Sequence, residues 1–281
     1  MARTPSNTDQ APVSCTRESG VSKEQTVPQC FVINLPQSGD RREQVTQDFT
    51  RIGLNFEFFA ATNGRALSPA EEALCLQGAA RESVELEMAG GRKVIVENAQ
   101  SPAEKGCSFS HLRLYQHILD LGLERAVIME DDVLPNEYTK LVLESLDCIK
   151  EPWDIVNFSN NSGLKNAPLA RKYYFGQDKQ YYFQRQGMRN ETLDAIFNRR
   201  RLIFGTYCYV ITRHACEVLV KLGYPVRLNA DYLLGLIGYN RLRTFMVFPH
   251  HLSFIAFSSA ANNSTIMTNV ERPQHRLVRV K

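Results

Sequence analysis

The run Ala126-Val127-Ile128-Met129 constrains this chain more than any other stretch, because it leads into three consecutive acids, Glu130-Asp131-Asp132. Four apolar residues of this kind read as a short buried strand. Adjacent carboxylates repel one another, and burying them is costly without a compensating cation. In an open α/β sheet, ligands bind beyond the carboxyl ends of the strands, which is where the cluster falls. Strand alternation sends Glu130 and Asp132 to one side of the chain and Asp131 to the other. Two oxygen ligands then face one way, an arrangement suited to a hard divalent ion that also holds a phosphate-bearing substrate. Three acids by themselves also read as a solvated turn leading into a helix that starts near Asn136. The rest of the chain bears on that choice.

Ahead of the cluster the pattern is strand, helix, strand. Cys30-Phe31-Val32-Ile33-Asn34-Leu35 is a compact apolar strand ending at Pro36. Asp40 follows a turn and is placed to cap a helix running to about Ile52. Phe56-Glu57-Phe58-Phe59-Ala60 reads as a second strand, closed by the turn Asn63-Gly64. This is the β-α-β pattern of a sheet with crossover helices. Ser68-Pro69-Ala70-Glu71 and Ser101-Pro102-Ala103-Glu104 are both capping boxes with proline at the first helical position. The second opens a long helix ending near Gly122, with Cys107, His111, Leu114, Ile118 and Leu121 at helical spacing toward the core. Between the boxes, residues 93–97 read as a strand. Beyond the acids come a helix over 136–149 and strands over 153–158 and 206–211. Thr212 caps a helix to Leu222, a short helix begins at Asn229, and strands cover 244–248 and 252–256. Residues 160–200 are polar and without a clean period, which in a compact domain reads as an active-site lid. Their tyrosines, Tyr173, Tyr174, Tyr181 and Tyr182, read as packing residues.

Residues 1–28 are rich in Ser, Thr, Gln and Pro and are expected to be disordered. One domain is expected over 29–268, followed by a basic tail over 269–281. A net charge of +3 is too mild to imply a nucleic-acid partner. The excess base is local, in Arg199-Arg200-Arg201 and in the tail, where it offers peripheral contact with a membrane surface. Seven cysteines are an odd number without zinc-site spacing, and read as reduced, buried thiols of a cytosolic protein. No apolar run reaches the length of a membrane span, and the N-terminus lacks an apolar signal core. The glycosylation patterns at Asn160, Asn190 and Asn262 are therefore expected to be idle.

In order and spacing, five motifs resemble glycosyltransferase family 25, the lipopolysaccharide and collagen galactosyltransferase-like enzymes. They are Val32-Ile33-Asn34-Leu35 with Asp40-Arg41-Arg42, then Ala61-Thr62-Asn63-Gly64, then Gly106-Cys107-Ser108-Phe109-Ser110-His111. Ile128-Met129-Glu130-Asp131-Asp132 and Gly205-Thr206-Tyr207-Cys208-Tyr209-Val210-Ile211 with Asp231 complete the series. The resemblance covers about Phe31 to Ile266. It implies an α/β GT-A-like nucleotide-sugar-binding fold, with a mixed central sheet flanked by helices. It also implies a UDP-sugar donor, usually UDP-galactose, a divalent metal (Mn2+ or Mg2+) and inversion at the anomeric carbon. The acceptor it implies is a glycan or glycolipid of lipopolysaccharide or lipooligosaccharide type. GT-A enzymes usually carry Asp-x-Asp, whereas the first acid here is Glu130, as is common in this family.

Sugar transfer must neutralise charge that builds on the departing diphosphate, which a metal held by acidic side chains does. Asp132 is the first choice as metal ligand; Glu130 either joins it or binds the donor ribose, and Asp131 is the third candidate. Arg41 and Arg42, just beyond the first strand, are candidates for phosphate or nucleotide. Their position beside the positive end of a helix disfavours cations. The resemblance places Asn63, Gly64, Ser110 and His111 beside the donor, although a tight turn explains the first pair and a core histidine the last. An inverting transfer needs a base for the acceptor hydroxyl, and Asp231, in an otherwise apolar segment, is the candidate. His250 or His251 is a candidate to complete the metal sphere, or is edge-strand surface. Two rival functions are a phosphotransferase with Asp131 as nucleophile and a degenerate GT-A-like fold retained for binding or adhesion.

Overall fold

The computed structural model describes residues 13–14, 27–76, 83–88, 91, 93–97, 100–158, 171–186, 205–249, 255–257 and 276–279. In chain order the first elements are β1 (Val13–Ser14), β2 (Gln29–Asn34), α1 (Gly39–Ile52), β3 (Glu57–Ala60) and α2 (Pro69–Ala73). Next come β4 (Ser83–Glu87), β5 (Lys93–Glu97), α3 (Pro102–Asp120), β6 (Arg125–Glu130), β7 (Val133–Pro135) and α4 (Glu137–Glu144). Then follow β8 (Ile155–Asn157), β9 (Lys172–Phe175), β10 (Tyr181–Arg185), β11 (Cys208–Thr212) and α5 (Arg213–Gly223). The last are α6 (Ala230–Gly235), α7 (Ile237–Asn240), β12 (Thr244–Phe248), β13 (Ile255–Phe257) and β14 (Arg276–Arg279).

Nine of these strands form one sheet in the order β1-β9-β10-β12-β8-β11-β6-β2-β3. β3, β2 and β6 run parallel, and β11 joins β6 antiparallel, so the sheet is mixed. The β2-α1-β3 unit expected from the sequence is present as a parallel pair with a helical crossover. β6 lies between β2 and β11, so its backbone is paired along both edges. β13 pairs with β7, and β4, β5 and β14 make a separate three-stranded sheet. Part of the basic C-terminal stretch, Arg276–Arg279, is thus a strand against β5.

Apolar side chains cover both faces of the large sheet, which is why its central strands read as continuous apolar runs rather than alternating ones. Cys30, Val32, Val127, Met129, Cys208 and Val210 pack on one face with Val45 and Phe49 of α1 and Val142 and Leu143 of α4. Their sequence neighbours Phe31, Ile33, Ala126, Ile128, Tyr209 and Ile211 pack on the other with α3, α5 and α6. The two-residue repeat therefore assigns each position of β2, β6 and β11 to a helix layer.

Both serine-proline capping boxes form, at Ser68 and at Ser101. Thr212 caps α5 through the Ala215 amide, as expected. Four expectations are corrected. Ser38, not Asp40, is the N-cap of α1, and Asp40 sits in the first turn, where its charge suits the helix dipole. Leu121 is 48% exposed, because α3 ends at Asp120 and the chain turns outward there. The helix after the acids stops at Glu144, with a 3-10 turn over Leu146–Cys148 in place of its continuation. Within the stretch expected to be irregular, β9 and β10 form an antiparallel pair at one side of the sheet. Tyr173, Phe175, Tyr181 and Phe183 are buried there, a two-residue repeat that the consecutive aromatics at 173–175 and 181–183 obscured. Residues 159–170 and 187–204 of that stretch lie outside the described residues. So do the three glycosylation patterns, Arg199-Arg200-Arg201, His250, His251 and most of residues 1–28. Among the described residues six cysteines are free thiols, five of them buried. Among the described residues no helix is long and apolar enough to cross a membrane.

One contact fixes α3 against the loop that follows β3. A Cβ on Gly64 would lie 1.7 Å from the Pro102 carbonyl oxygen, and one on Gly106 would lie 2.5 Å from the Gly64 nitrogen. Only two glycines let these backbones meet. Ser110 closes the junction, accepting from the Thr62 amide at 2.8 Å and donating to the Gly106 carbonyl at 2.7 Å. Gly64→Ala is expected to lower the unfolding free energy by about 1–3 kcal/mol or more, since two backbones must part to admit the methyl group. Denaturant unfolding of the two proteins checks this; an unchanged midpoint would mean that the loop gives way freely.

Candidate active site

At the carboxyl end of β6 the alternation continues through the acids. Ala126 and Ile128 face the α3 layer, and Glu130 continues that series. Asp131 falls to the α1 side. There Arg41 donates to its Oδ1 at 2.7 Å and Asn34, at the end of β2, donates to its Oδ2 at 2.7 Å. Both oxygens of the middle acid are thereby engaged. Arg42 donates to Asn34 Oδ1 at 3.4 Å and lies 4.0 Å over the Phe58 ring.

Glu130 and Asp132 instead line one cavity of about 180 Å3 together with Asp231. Glu104, Cys107, Gly205, Thr206, Tyr207 and Asn229 complete its lining. The antiparallel neighbour of β6 supplies the approach to β11: the Glu130 amide donates to the Tyr207 carbonyl at 2.9 Å, and the Thr206 hydroxyl donates to Glu130 Oε1 at 2.7 Å. Gly205, at φ 102°, lies in backbone space that favours glycine, and its amide donates to Asp231 Oδ1 at 3.1 Å. Asp231 enters from the first turn of α6. Glu104 caps α3 with one oxygen and accepts from Asn229 with the other, at 3.0 Å.

The carboxylates are not alike. Burial pushes the Asp132 carboxyl up, and the charges of Glu130 and Asp131 add to it, to about 7. Burial also raises Asp231, with Glu130 the next cause. Glu130 is likewise raised by burial, but His111, the Thr206 hydroxyl and the Arg41 charge outweigh that and hold it below its usual range. Asp132 Oδ1 is buried without a hydrogen-bond partner among the described residues. A buried carboxylate oxygen with no partner, beside a second carboxylate in the same cavity, fits a hard divalent cation.

Of the residues singled out from the sequence, Glu130, Asp132 and Asp231 are brought together. Asp131, Arg41 and Arg42 form a separate polar group on the α1 side. Asn63 is exposed and accepts from the Arg65 amide at 3.1 Å, while Gly64 and Ser110 make the loop junction. His111 is buried behind the cavity wall, its Nε2 3.7 Å from Glu130 Oε1. Cys107, His111 and Glu130 also approach one another, with ligand atoms mutually within 4.8 Å. Burial and the surrounding carboxylates raise the Cys107 thiol well above its ordinary value. Sequence reasoning assigned no part to Thr206, Glu104 or Asn229. Glu104 was visible only as a capping residue, and Thr206 only as the first residue of an expected strand and part of the Gly205–Ile211 motif.

A family model described as "Glycosyltransferase family 25 (LPS biosynthesis protein)" matches residues 27–234. A "Glycosyltransferase 25 family member" of Aedes aegypti is 27% identical over 135 residues, 47% of this chain and 21% of the relative. "Procollagen galactosyltransferase 2" of Homo sapiens is 24% identical over 131 residues, 45% of this chain and 20% of that protein. "Lacto-N-neotetraose biosynthesis glycosyltransferase LgtB" of Neisseria meningitidis serogroup B is 31% identical over 126 residues, 45% of this chain and 40% of that protein. The chain thus spans less than half the length of each of these relatives.

The crowding has a consequence for stability. The Asp132 carboxyl binds its proton more tightly in the folded protein than in the unfolded chain. Its contribution is therefore full below the ordinary carboxylate range and is lost as pH rises through about 7. In EDTA, Asp132→Asn is expected to melt higher than the wild-type protein at neutral pH and to show a shallower fall in Tm across that window. Calorimetry of both proteins over the window checks it; parallel curves would show that Asp132 carries no such burden.

Proposed function

The chain belongs to glycosyltransferase family 25, and from that premise we propose that it is a metal-dependent, inverting hexosyltransferase that uses a UDP-sugar. Galactose from UDP-galactose is the proposed donor group, and a glycan or glycolipid of the lipopolysaccharide or lipooligosaccharide type is the proposed acceptor. The observation that carries this reading is the convergence of Glu130, Asp132 and Asp231 on one cavity at the end of the central strand. The names of the galactosyltransferase and lacto-N-neotetraose relatives support the sugar and the glycan acceptor. The domain assigned to this activity is residues 29–268. We assign it to the cytoplasm, with peripheral contact to the membrane through its basic residues, and with no nucleic-acid partner.

Asp132 and Glu130 are the residues that would hold Mn2+ or Mg2+. When bound, such an ion neutralises the charge that develops on a departing diphosphate. The remaining chemistry belongs to the chain. Asp231 has its carboxyl raised by burial and by Glu130, which suits it to accept a proton from a sugar hydroxyl. The Gly205 amide holds one of its oxygens in place. The acceptor oxygen forms its bond to the anomeric carbon from the face opposite the diphosphate. The bond to the diphosphate breaks with its electron pair, and the acceptor proton passes to Asp231. The Thr206 hydroxyl, bonded to Glu130 Oε1, keeps that carboxylate oriented in the cavity wall.

Two measurements test the reading. A screen of nucleotide sugars should find one donor hydrolysed with Mn2+ and spared when EDTA is added; no metal-dependent hydrolysis of any donor would reject it. Asp231→Asn keeps the shape and loses the base, so transfer should fall by about 10²–10⁴-fold with donor affinity nearly unchanged. Loss of donor binding in that variant would move Asp231 into the donor pocket instead.

A further inference from the structure

We propose that Tyr115, Tyr209 and His111 form a buried hydroxyl–imidazole chain that aims the His111 Nε2–H at Glu130 and so fixes that carboxylate in the cavity wall. This rests on the transferase reading above and deepens it by naming three positioning residues, none of which lines the cavity.

Tyr115 Oη lies 2.7 Å from Tyr209 Oη, which lies 2.7 Å from His111 Nδ1. The three side chains are 1%, 0% and 1% exposed, so no solvent completes their hydrogen bonds. A buried phenol must give its hydrogen to an acceptor. Among the described residues, the acceptor within reach of Tyr115 is Tyr209 Oη. Tyr115 therefore donates to Tyr209, and the Tyr209 hydrogen goes on to His111 Nδ1. With Nδ1 accepting, the ring carries its hydrogen on Nε2, which faces Glu130 Oε1 across 3.7 Å. The reverse order would leave the Tyr115 hydrogen buried and unmatched.

This accounting decides between two uses of the same neighbourhood. A metal held by Cys107, His111 and Glu130 would need the Nε2 lone pair, whereas the hydroxyl chain makes Nε2 a donor. It also explains why Nε2 has no partner within hydrogen-bonding distance: it is held just beyond the carboxylate. Thr206 donates to the same Oε1 at 2.7 Å. Both contacts thus fall on one oxygen, and Oε2 is the atom they leave to a ligand in the cavity.

The test uses the whole chain labelled with ¹⁵N-histidine, in which His111→Gln identifies the His111 signals among those of six histidines. The expected result is the Nε2–H tautomer, lost in Tyr209→Phe. In the same variant, Mn2+-supported donor hydrolysis should fall about 10–100-fold. His111→Gln, which keeps an N–H near the Nε2 position, should retain more activity than His111→Asn, which places it near Nδ1. A merely structural role would not produce that order. The proposal is overturned by an Nδ1–H tautomer or by unchanged hydrolysis in Tyr209→Phe. It is equally overturned by a Co2+ titration that yields thiolate charge-transfer absorption abolished in Cys107→Ser. The tautomer is read without donor or acceptor. An Nε2–H signal in a protein that hydrolyses no nucleotide sugar would therefore retire the transferase reading and leave the chain of hydrogen bonds standing.

Discussion

Repulsion among three consecutive carboxylates is the constraint around which this molecule is arranged. The peptide cannot separate them along the chain, so the two-residue repeat of the strand separates them across it. Asp131 turns to the α1 side, where Arg41 and Asn34 engage both of its oxygens. Glu130 turns to the α3 side, where a hydroxyl and an imidazole meet one of its oxygens. Asp132 receives no such help at Oδ1. One acid is thus neutralised by the fold, one is oriented by it, and one is left under strain. Only the last two share a cavity.

That outcome depends on the sheet order. A parallel β2 beside β6 brings Asn34 and the start of α1 to the Asp131 side. An antiparallel β11 on the other edge brings the Gly205-Thr206-Tyr207 entry segment, and with it the amide that holds Asp231. A parallel strand there would deliver its opposite end to the acids. The loop after β3 meets α3 through Gly64 and Gly106, which sets the distance of Glu104, Cys107 and His111 from the sheet. Placement of the cavity carboxylates is therefore a matter of strand direction and of one glycine contact, rather than of the acids alone.

Where the signal was local, the sequence was legible. Apolar runs marked the central strands, Ser-Pro-x-Glu marked the starts of α2 and α3, and alternation placed Glu130 and Asp132 on a common side. The parts that were hidden depend on partners distant in sequence. Asn34 was read as an unremarked strand residue, because its hydrogen bond is to a residue far along the chain, Asp131. Gly64 looked like turn chemistry, whereas its lack of a side chain is demanded by the Pro102 carbonyl. Arg41 reads as a phosphate or nucleotide ligand at a helix start until Asp131 is seen against it. Tyr209 gave no polar signal at all, since a tyrosine in an apolar strand looks like packing until its hydroxyl finds His111. The hairpin of β9 and β10 was missed because the residues between its buried aromatics, Tyr174 and Tyr182, are aromatic too, so the inward repeat does not stand out.

Glu130, Asp132 and Asp231 hold their protons with unequal affinity. Groups of one chemical type whose environments push their pKa values apart divide the acid, base and ligand roles between them. Glu130 is held below its usual range although burial opposes this, because a hydroxyl and an imidazole stand against it. A carboxylate that stays anionic is suited to hold a cation and poorly suited to take a proton. Asp231 is shifted the opposite way, by burial and by Glu130 itself, so the anion on one wall raises the basicity of the carboxyl on the other. Asp132 is also raised, but two neighbouring acids contribute to it, and its buried oxygen has no donor to offset them. A divalent cation would relieve Asp132 most, since it removes the repulsion and supplies the missing partner together. By the same charge it would offset the influence of Glu130 on Asp231 and lower the latter's affinity for a proton. In the proposed reaction the metal and the base are therefore coupled through Glu130, and the Thr206 hydroxyl and His111 imidazole that face Glu130 set the strength of that coupling.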